Sequence, residues 1–508
     1  MNSFDDLTKL DTVLPGVSGA YAALRSHDGY GLYTSRGKFF NGTVFGRDAS
    51  MSAKFVADFD HQAALDIITQ LIALQGVEDN PKTQEEPGRI HHEWRDFRAW
   101  RGSAFDHVPF WLLHDKWDIR NRQLLTYYSL DTTASFVRMV HKYATRIDAS
   151  ILDRTMKDKN GEPVTVAVAL KRAAAWLVAN IDDGLLTDTR RSRFSLPVQT
   201  FQDSLYARRD GRLIDLGGPV AYLEVQAFAA DALRDMAQLF PEHKWRFAWH
   251  DAARQLHDAM LEKFRQDDGT YASAIDRDGQ VDVPNVSMGW ILNTFLWRDM
   301  TDSERERYMT PVIERLFSDE FLTPVGLRTR ARSAPDPLPG AVDYHGSQTV
   351  WPMFSFMVVE GLRRHRMYDL AEQLERRIIN GLNAAGEFKE FHVVRRSGEL
   401  VLPGRGPRLD VQMKPERLIG FSIVPGIVLA RRALTPPQRK AQRPWQSALE
   451  ARVLATIPLV ERAAPDNALA AIGTVQSARF VRWRAGVRTS LYFWRHRDRV
   501  VPQHKAVS

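Results

Sequence analysis

An all-α fold, a toroid of helical hairpins whose loops converge at one end, is what the sequence predicts, on three observations. Apolar residues recur at three-and-four spacing in segment after segment. Strand-like alternation is brief, chiefly Phe391-His392-Val393-Val394, and Gly, Pro and Asp cluster between the periodic stretches. The first clear helix spans about 60 to 76, where His61-Gln62-Ala63-Ala64-Leu65-Asp66-Ile67-Ile68 places its apolar groups on one face. The same period predicts helices near 131–146, 164–181, 219–239 and 245–265, then 285–297, 303–317, 349–365, 367–384 and 417–434. Gly217-Gly218-Pro219, Asp267-Asp268-Gly269 and Pro335-Asp336-Pro337-Leu338-Pro339-Gly340 punctuate them. No internal repeat stands out, which argues against a solenoid. Three regions are expected: a lead-in over 1–40, the helical barrel over 41–435, and, after Thr435-Pro436-Pro437, a small basic helical extension over 436–508.

The chain has 508 residues, of which 44% are hydrophobic and 26% charged, enough for one large core. With no cysteine, disulfides, thiol nucleophiles and cysteine-bound metals are excluded, and a cytoplasmic location is expected. The N-terminus lacks a basic segment followed by an apolar run, and no stretch approaches the roughly 20 apolar residues of a transmembrane helix. The net charge of +7 resides in the tail: residues 431–508 hold 15 Lys and Arg against 4 Asp and Glu, and the rest of the chain 54 against 58. A mildly acidic body suits a neutral sugar and gives no electrostatic reason to bind phosphate, so nucleic acid is not a required partner. The tail, with Arg479, Arg482, Arg484 and Arg488 among Phe480, Trp483 and Tyr492, is read as a basic helix packed by its aromatics. Oligomeric state is not legible.

The chemistry concentrates in loops beside the helices. Phe201-Gln202-Asp203-Ser204 and Glu224-Val225-Gln226 place an Asp and a Glu there, as a carbohydrate-cleaving site in a helical barrel requires. Tyr344-His345-Gly346-Ser347-Gln348-Thr349-Val350-Trp351-Pro352 adds an imidazole, hydroxyls and a flat aromatic before another helix. His91-His92-Glu93 and Asp182-Asp183-Gly184 lack the spacing of a zinc or EF-hand site, so neither metal nor cofactor is expected. Phosphate loops, dinucleotide fingerprints and a nucleophile elbow are missing from the sequence.

Six motifs occur in a telling order: Gly46-Arg47-Asp48; Glu85-Glu86-Pro87-Gly88-Arg89-Ile90 with His92-Glu93; Tyr127-Tyr128-Ser129-Leu130-Asp131-Thr132-Thr133; Gln202-Asp203-Ser204; Glu224-Val225-Gln226; and Tyr344-His345 through Trp351-Pro352. In this order they resemble the glucosidase domain of bacterial glycogen-debranching enzymes of the amylo-α-1,6-glucosidase type, over about residues 30 to 435. The resemblance implies an (α/α)6 barrel and an inverting hydrolase that uses water. The family commonly carries a β-rich domain ahead of the barrel, whereas about 40 residues precede Gly46 here, so short glycosides stand beside polymers as expected substrates.

Inversion requires one carboxylic acid to protonate the leaving oxygen and one carboxylate to deprotonate water, with roughly 6.5–9.5 Å between them. Asp203 occupies the family's acid position; its structural alternative is a helix cap. For the base, Glu390 follows the helix that ends near Asn383-Ala384-Ala385, and Glu416 follows Pro415 before the last helix; both stay open, Glu390 preferred. The family position implies sugar contacts from Arg47, Asp48, Tyr128, Asp131, Gln202, Glu224, Gln226, Tyr344, His345 and Trp351, by paired acceptors, forked donors and ring faces. The expected activity is an inverting exo-α-glycosidase acting on an α-1,6 branch or a short α-glucoside. The alternatives are a hydrolase of a small glycoside such as a disaccharide or a glycosylated compatible solute, a phosphorylase with Lys389, Arg395 and Arg396 near a phosphate, or a non-catalytic glycan-binding protein.

Overall fold

The structure, a computed structural model, describes residues 5–457 apart from 27, 38–39, 41, 98–118, 120–121, 189–194, 336, 338–342 and 402–414. Of the expected basic extension, residues 436–457 are described and 458–508 lie outside the described residues. Thirteen helices carry the argument below: α1 Val17–Leu24, α2 Gly46–Val56, α3 His61–Ala73, α4 Asp131–Arg146, α5 Val166–Ala179, α6 Leu223–Leu239 and α7 Arg246–Lys263, then α8 Ser287–Trp290, α9 Asp302–Leu316, α10 Pro352–Arg364, α11 Tyr368–Ala385, α12 Gly420–Leu434 and α13 Pro444–Thr456. Among the described residues no helix is long and apolar enough to cross a membrane.

Even-numbered helices pack in sequence, α2 on α4, α4 on α6, α6 on α8, α8 on α10, α10 on α12, and α12 returns to α2. Their contacts thus form a closed circuit. Odd-numbered helices lie outside it: α3 backs α2 and α4, α5 backs α4 and α6, α7 backs α6, α9 backs α8, α11 backs α10 and α12, and α1 backs α12. Helix α13 packs across α9 and α11. The N-terminal segment is thus more than a lead-in, because α1 is the outer partner of the last inner helix.

The two sets differ in how the sequence buries them. In α12 every residue from Gly420 to Ile427 is buried, and in α10 every residue from Pro352 to Val359, so these inner helices show no single apolar stripe. Helix α7 buries only Trp249, Ala252, Ala253, Leu256, His257, Ala259 and Met260, one face of an amphipathic helix. Local signals set the ends. Asp60 accepts from the Ala63 N–H at 2.8 Å to cap α3, Thr301 and Glu304 form a capping box on α9, and Pro352 opens α10. The predicted helix at 285–297 is one turn of α-helix continued by 3-10 turns to Trp297, and Gly289 lies within it. A Cβ at Gly289 would stand 2.6 Å from Leu316 and 2.7 Å from Val358, so this turn runs against both neighbours at glycine distance.

Short antiparallel ribbons precede the inner helices. Thr43–Phe45 pairs with Glu93–Asp96 just before α2, Val220–Tyr222 sits in a five-stranded sheet just before α6, and Thr349–Val350 pairs with the expected strand at His392–Val394 just before α10. They fix where each inner helix begins, and the site residues sit at those beginnings.

Candidate functional site

Arg47 and Asp48 lie in the first turn of α2, Asp131 opens α4, Glu224 lies in the first turn of α6, and Trp351 caps α10. Four inner helices thus direct their N-termini to one place. Asp203 and Glu390 arrive on loops; Asp203 raises the pKa of Asp48, and both raise that of Glu390.

Burial is the largest upward influence on each. It pushes Asp203 up to about 6, against the pull of Arg47 and its own backbone N–H, with Asp343 and Asp131 adding repulsion. The Asp203 side chain is 33% exposed, so water reaches it inside a crowded recess. Asp48 is pushed up to about 7 by burial, opposed by Arg47 and reinforced by Asp203. Glu390 is 4% exposed and is pushed up to about 8, although two donors favour its charged form: the Tyr344 hydroxyl donates to Oε1, and the Glu416 N–H donates to Oε2 at 3.2 Å. The Glu390 N–H in turn donates to the Glu416 carbonyl at 2.9 Å.

Of the two base candidates, then, Glu390 joins the carboxyl cluster electrostatically. Glu416 contributes its backbone, and its own carboxylate accepts from the Arg417 N–H at 3.0 Å. Gly37 makes room for that carboxylate: a Cβ there would lie 1.5 Å from Glu416 Oε1.

Arg47 Nε donates to both oxygens of Asp131 at 3.0 and 2.8 Å, so part of the guanidinium is taken up by a carboxylate of the next inner helix. Ser129 Oγ donates to Asp131 as well, at 2.5 Å. Arg47 Nη2, both polar atoms of the Gln202 side chain and Glu224 Oε2 are buried with no partner among the described residues. The other Glu224 oxygen accepts from the Thr200 hydroxyl, and burial pushes the Glu224 carboxyl up to about 7.

Three predicted sugar contacts correct to internal roles. The Gln226 amide is consumed by backbone, taking the Leu186 N–H at 2.8 Å and donating to the Leu186 and Tyr222 carbonyls at 2.9 and 3.0 Å. The Tyr128 hydroxyl donates to the Lys82 carbonyl at 2.6 Å. Trp351 is 4% exposed and ringed by His345, Phe354 and Phe391 at centroid distances of 4.8, 4.8 and 5.3 Å, so it floors the recess instead of offering a face to sugar.

Sequence reasoning missed Asp343 and Arg330. Arg330 Nη1 pairs with Asp343 at 2.8 Å, and Asp343 repels Asp203. The usable signal was position, since Asp343 directly precedes Tyr344-His345. The residues considered for a phosphate are paired: Lys389 faces Glu387 at 3.5 Å and Arg395 faces Glu399 at 3.1 Å. Among the described residues no group of three or more His, Asp or Glu could hold a metal ion.

The fold and this cluster define a class, helical barrels whose inner helices start beside a group of carboxyls. Residues 150–393 match the family model for the mannosylglycerate hydrolase MGH1-like glycoside hydrolase domain. No curated protein matches the sequence. Among solved structures, a glycosidase with a Glu-to-Ala substitution superposes with a TM-score of 0.54 at 12% identity, over 86% of this chain and 100% of that one. A GH63 mannosylglycerate hydrolase from Thermus thermophilus, solved with glucose, gives a TM-score of 0.54 at 14% identity, over 82% of this chain and 99% of that one. The same enzyme solved with Tris and D-glycerate gives 0.52 at 13% identity, over 82% and 99%. The fold is that of the (α/α)6-type glycosidases, and the match over 150–393 supports a glycoside hydrolase of the six-hairpin type.

Proposed function

We propose that this protein is an inverting exo-α-glycosidase, an (α/α)6 toroid in which Asp203 is the general acid and Glu390 the general base. The observation that carries the reading is the unequal treatment of two carboxyls in one recess. Glu390 has both oxygens occupied as acceptors, the arrangement of a carboxylate that takes a proton from water. Asp203 is open to solvent on one side and free to present a proton to a leaving oxygen. In the reaction Asp203 protonates the glycosidic oxygen as the bond to the anomeric carbon breaks. Water attacks the opposite face of that carbon and gives its proton to Glu390. Glu224 Oε2, the Gln202 amide and the free Nη2 of Arg47 supply the unpaired acceptors and donors that sugar hydroxyls would satisfy.

A short α-glycoside of glucose or mannose is the preferred substrate, because the similar structures include a mannosylglycerate hydrolase seen with glucose and with D-glycerate. An α-1,6-linked glucose at a branch is the second. The roles of the two carboxyls carry a second reading too. Glu390, at about 8, holds its proton more tightly than Asp203, at about 6. Two such coupled groups titrate as a pair. The proposed roles use the form with the proton on Asp203, the minor form of the singly protonated pair; exchanged roles would use the dominant form.

Anomer-resolved proton NMR on a panel of α-glucosides and α-mannosides tests the reading. The β-sugar should appear first, from the wild type and from Glu416→Gln, and should vanish for Asp203→Asn and Glu390→Gln. Release of the α-anomer would overturn inversion, and activity that survives loss of Glu390 but not of Glu416 would move the base.

A further inference from the structure

The hydrolase reading treats Asp203 and Glu390 as separate arrivals on separate loops, yet one dipeptide touches both. The Tyr344 hydroxyl donates to Glu390 Oε1, while His345 Nδ1 lies 3.4 Å from Asp203 Oδ1 and 3.1 Å from Ser204 Oγ. We propose that Tyr344-His345 is a two-armed positioning element that sets the acid and the base at a fixed separation, rather than a pair of sugar contacts. The inference rests on the acid and base assignment above and adds two residues that act through those carboxyls.

Packing makes both arms rigid. The His345 ring is 2% exposed, lies nearly parallel to Trp351 at 4.8 Å and 16° and to Phe354 at 5.9 Å and 22°, and meets the edge of Phe201 at 6.5 Å. So enclosed, it has no face for a sugar. Tyr344 stands edge-on to Trp351 at 5.0 Å and 83° and to Phe391 at 5.4 Å and 87°, and the two arms touch each other edge-on at 4.5 Å and 71°. The backbone between them is pinned as well. Trp351 Nε1 donates to the Tyr344 carbonyl at 3.3 Å, the His345 N–H reaches Asp343 Oδ1 at 3.4 Å, and Arg330 holds the other Asp343 oxygen at 2.8 Å. With ring and backbone both fixed, a shift of either carboxyl would have to move an aromatic stack, which resists because interiors are close-packed.

His345 stays a neutral imidazole, its pKa driven well down by burial and then by Arg330 and Arg47; its Nδ1 shares a hydrogen bond with Ser204 Oγ at 3.1 Å and stands 3.4 Å from Asp203 Oδ1, so it holds the Asp203 loop and meets that carboxyl as an uncharged group. Tyr344, driven well up by burial and by Glu390, stays a neutral donor. The arms thus serve opposite halves of the reaction, and substrates that need only one half can separate them.

The test uses full-length His345→Phe and Tyr344→Phe, both of which keep a ring in the stack, with melting temperature as the check on folding. Each is assayed on α-glucosyl and α-mannosyl fluoride, whose leaving group needs no protonation, and on the matching alkyl α-glycosides, whose leaving group does. His345→Phe should lower kcat on the alkyl glycosides about 10- to 100-fold, while fluoride hydrolysis stays within about threefold, since proton donation of this kind contributes roughly 10²–10⁴-fold. Tyr344→Phe should lower kcat on both substrates alike, about tenfold, and KM should hold in both variants. His345→Asn, which returns a polar group near the Nδ1 position, should restore part of the alkyl-glycoside rate. Equal losses on both substrates in His345→Phe would reduce His345 to packing, a raised KM at constant kcat would restore it as a sugar contact, and the reversed pattern would exchange the arms; each overturns the proposal. Asp203→Asn on the same substrates keeps the two readings apart. If it discriminates by leaving group and His345→Phe does not, the positioning role alone fails. If it does not discriminate, or if wild-type protein is inert on all four substrates, the acid assignment fails and the positioning role with it.

Discussion

The inner helices carry a charged cluster at each end, and the two clusters are built on opposite rules. Further along the same helices Arg138 of α4 meets Asp231 of α6 at 2.8 Å, and Asp231 also takes the Phe295 N–H at 2.9 Å. His141 Nδ1 faces Asp235 at 3.3 Å, and Arg432 of α12 bridges Glu360 and Glu375 at 2.6 and 3.1 Å. Arg138 and Arg432 there each stand against acidic partners. At the N-terminal end, among the described residues, Asp48, Asp131, Asp203, Glu224, Asp343 and Glu390 gather around two cations, Arg47 and Arg330. Balanced charge holds helices together; an excess of one sign holds protons ready for transfer. The same helices thus supply stability at one end and reactivity at the other.

The largest effect that should sharpen this contrast is a double dissociation. Asp203→Asn and Glu390→Gln should each cut turnover on an alkyl glycoside about 10²–10⁴-fold and leave the melting temperature equal or higher. Asp231→Asn should leave kcat/KM nearly unchanged in folded protein and lower stability by about 3–5 kcal/mol, because it strands Arg138 in the interior. Steady-state kinetics beside thermal unfolding reads both; a folded but inactive Asp231→Asn would break the contrast.

Next in size is pH. A carboxyl whose pKa is higher folded than unfolded binds extra proton in the native state, so stability falls as pH rises between the two values. For Glu390 that window runs from 4.5 to about 8. Relative to Glu390→Gln, the wild-type melting temperature should therefore fall from pH 5 to pH 8. Tyr344→Phe removes a donor to the charged form, which raises Glu390 further and should move the alkaline limb of the pH–rate profile, set by the higher pKa of the pair, to higher pH. Asp48→Asn removes a like charge and should move it lower. The smallest expected change follows Gly37→Ala, where the new Cβ displaces the Glu416 carboxylate and, through the Glu416 backbone, loosens Glu390; kcat should fall a few-fold, as small misplacements of catalytic groups do. An unchanged rate would show the Glu416 strap to be compliant.

Amphipathic periodicity made the outer shell readable: the helices expected near 245–265, 303–317 and 367–384 stand at Arg246–Lys263, Asp302–Leu316 and Tyr368–Ala385. Gly46–Val56 escaped that reading because nine of its eleven residues are buried and its apolar positions form no stripe against a polar face. Val17–Leu24 escaped through brevity, being two turns long and stable only against α12. Within the site, motifs nominated Asp203 and Glu390 for the recess, but no local pattern says that Arg47 turns to Asp131, 84 residues away, or that Tyr344 and His345 face two different carboxyls. Such partnerships belong to the folded ring, and only the ring reveals that Gln226, Tyr128 and Trp351 serve it from within.

The strap beside Glu390 is fastened by the opposite end of the described chain. Ser35 Oγ donates to the Arg417 carbonyl at 2.9 Å, the Arg36 N–H to the Leu418 carbonyl at 3.2 Å, and the Gly420 N–H to the Thr34 carbonyl at 2.9 Å, while α1 lies along α12. Residues some 380 positions apart therefore clasp each other at the recess. As the chain leaves the ribosome, the first segment must wait, unclasped, until the last inner helix has been synthesised. Every earlier hairpin can pack on its neighbours before that moment, yet the recess cannot close. The reactive end of the molecule is thus the last to be assembled, and a nascent chain that stops short of Gly420 would carry most of the fold with an unfinished site.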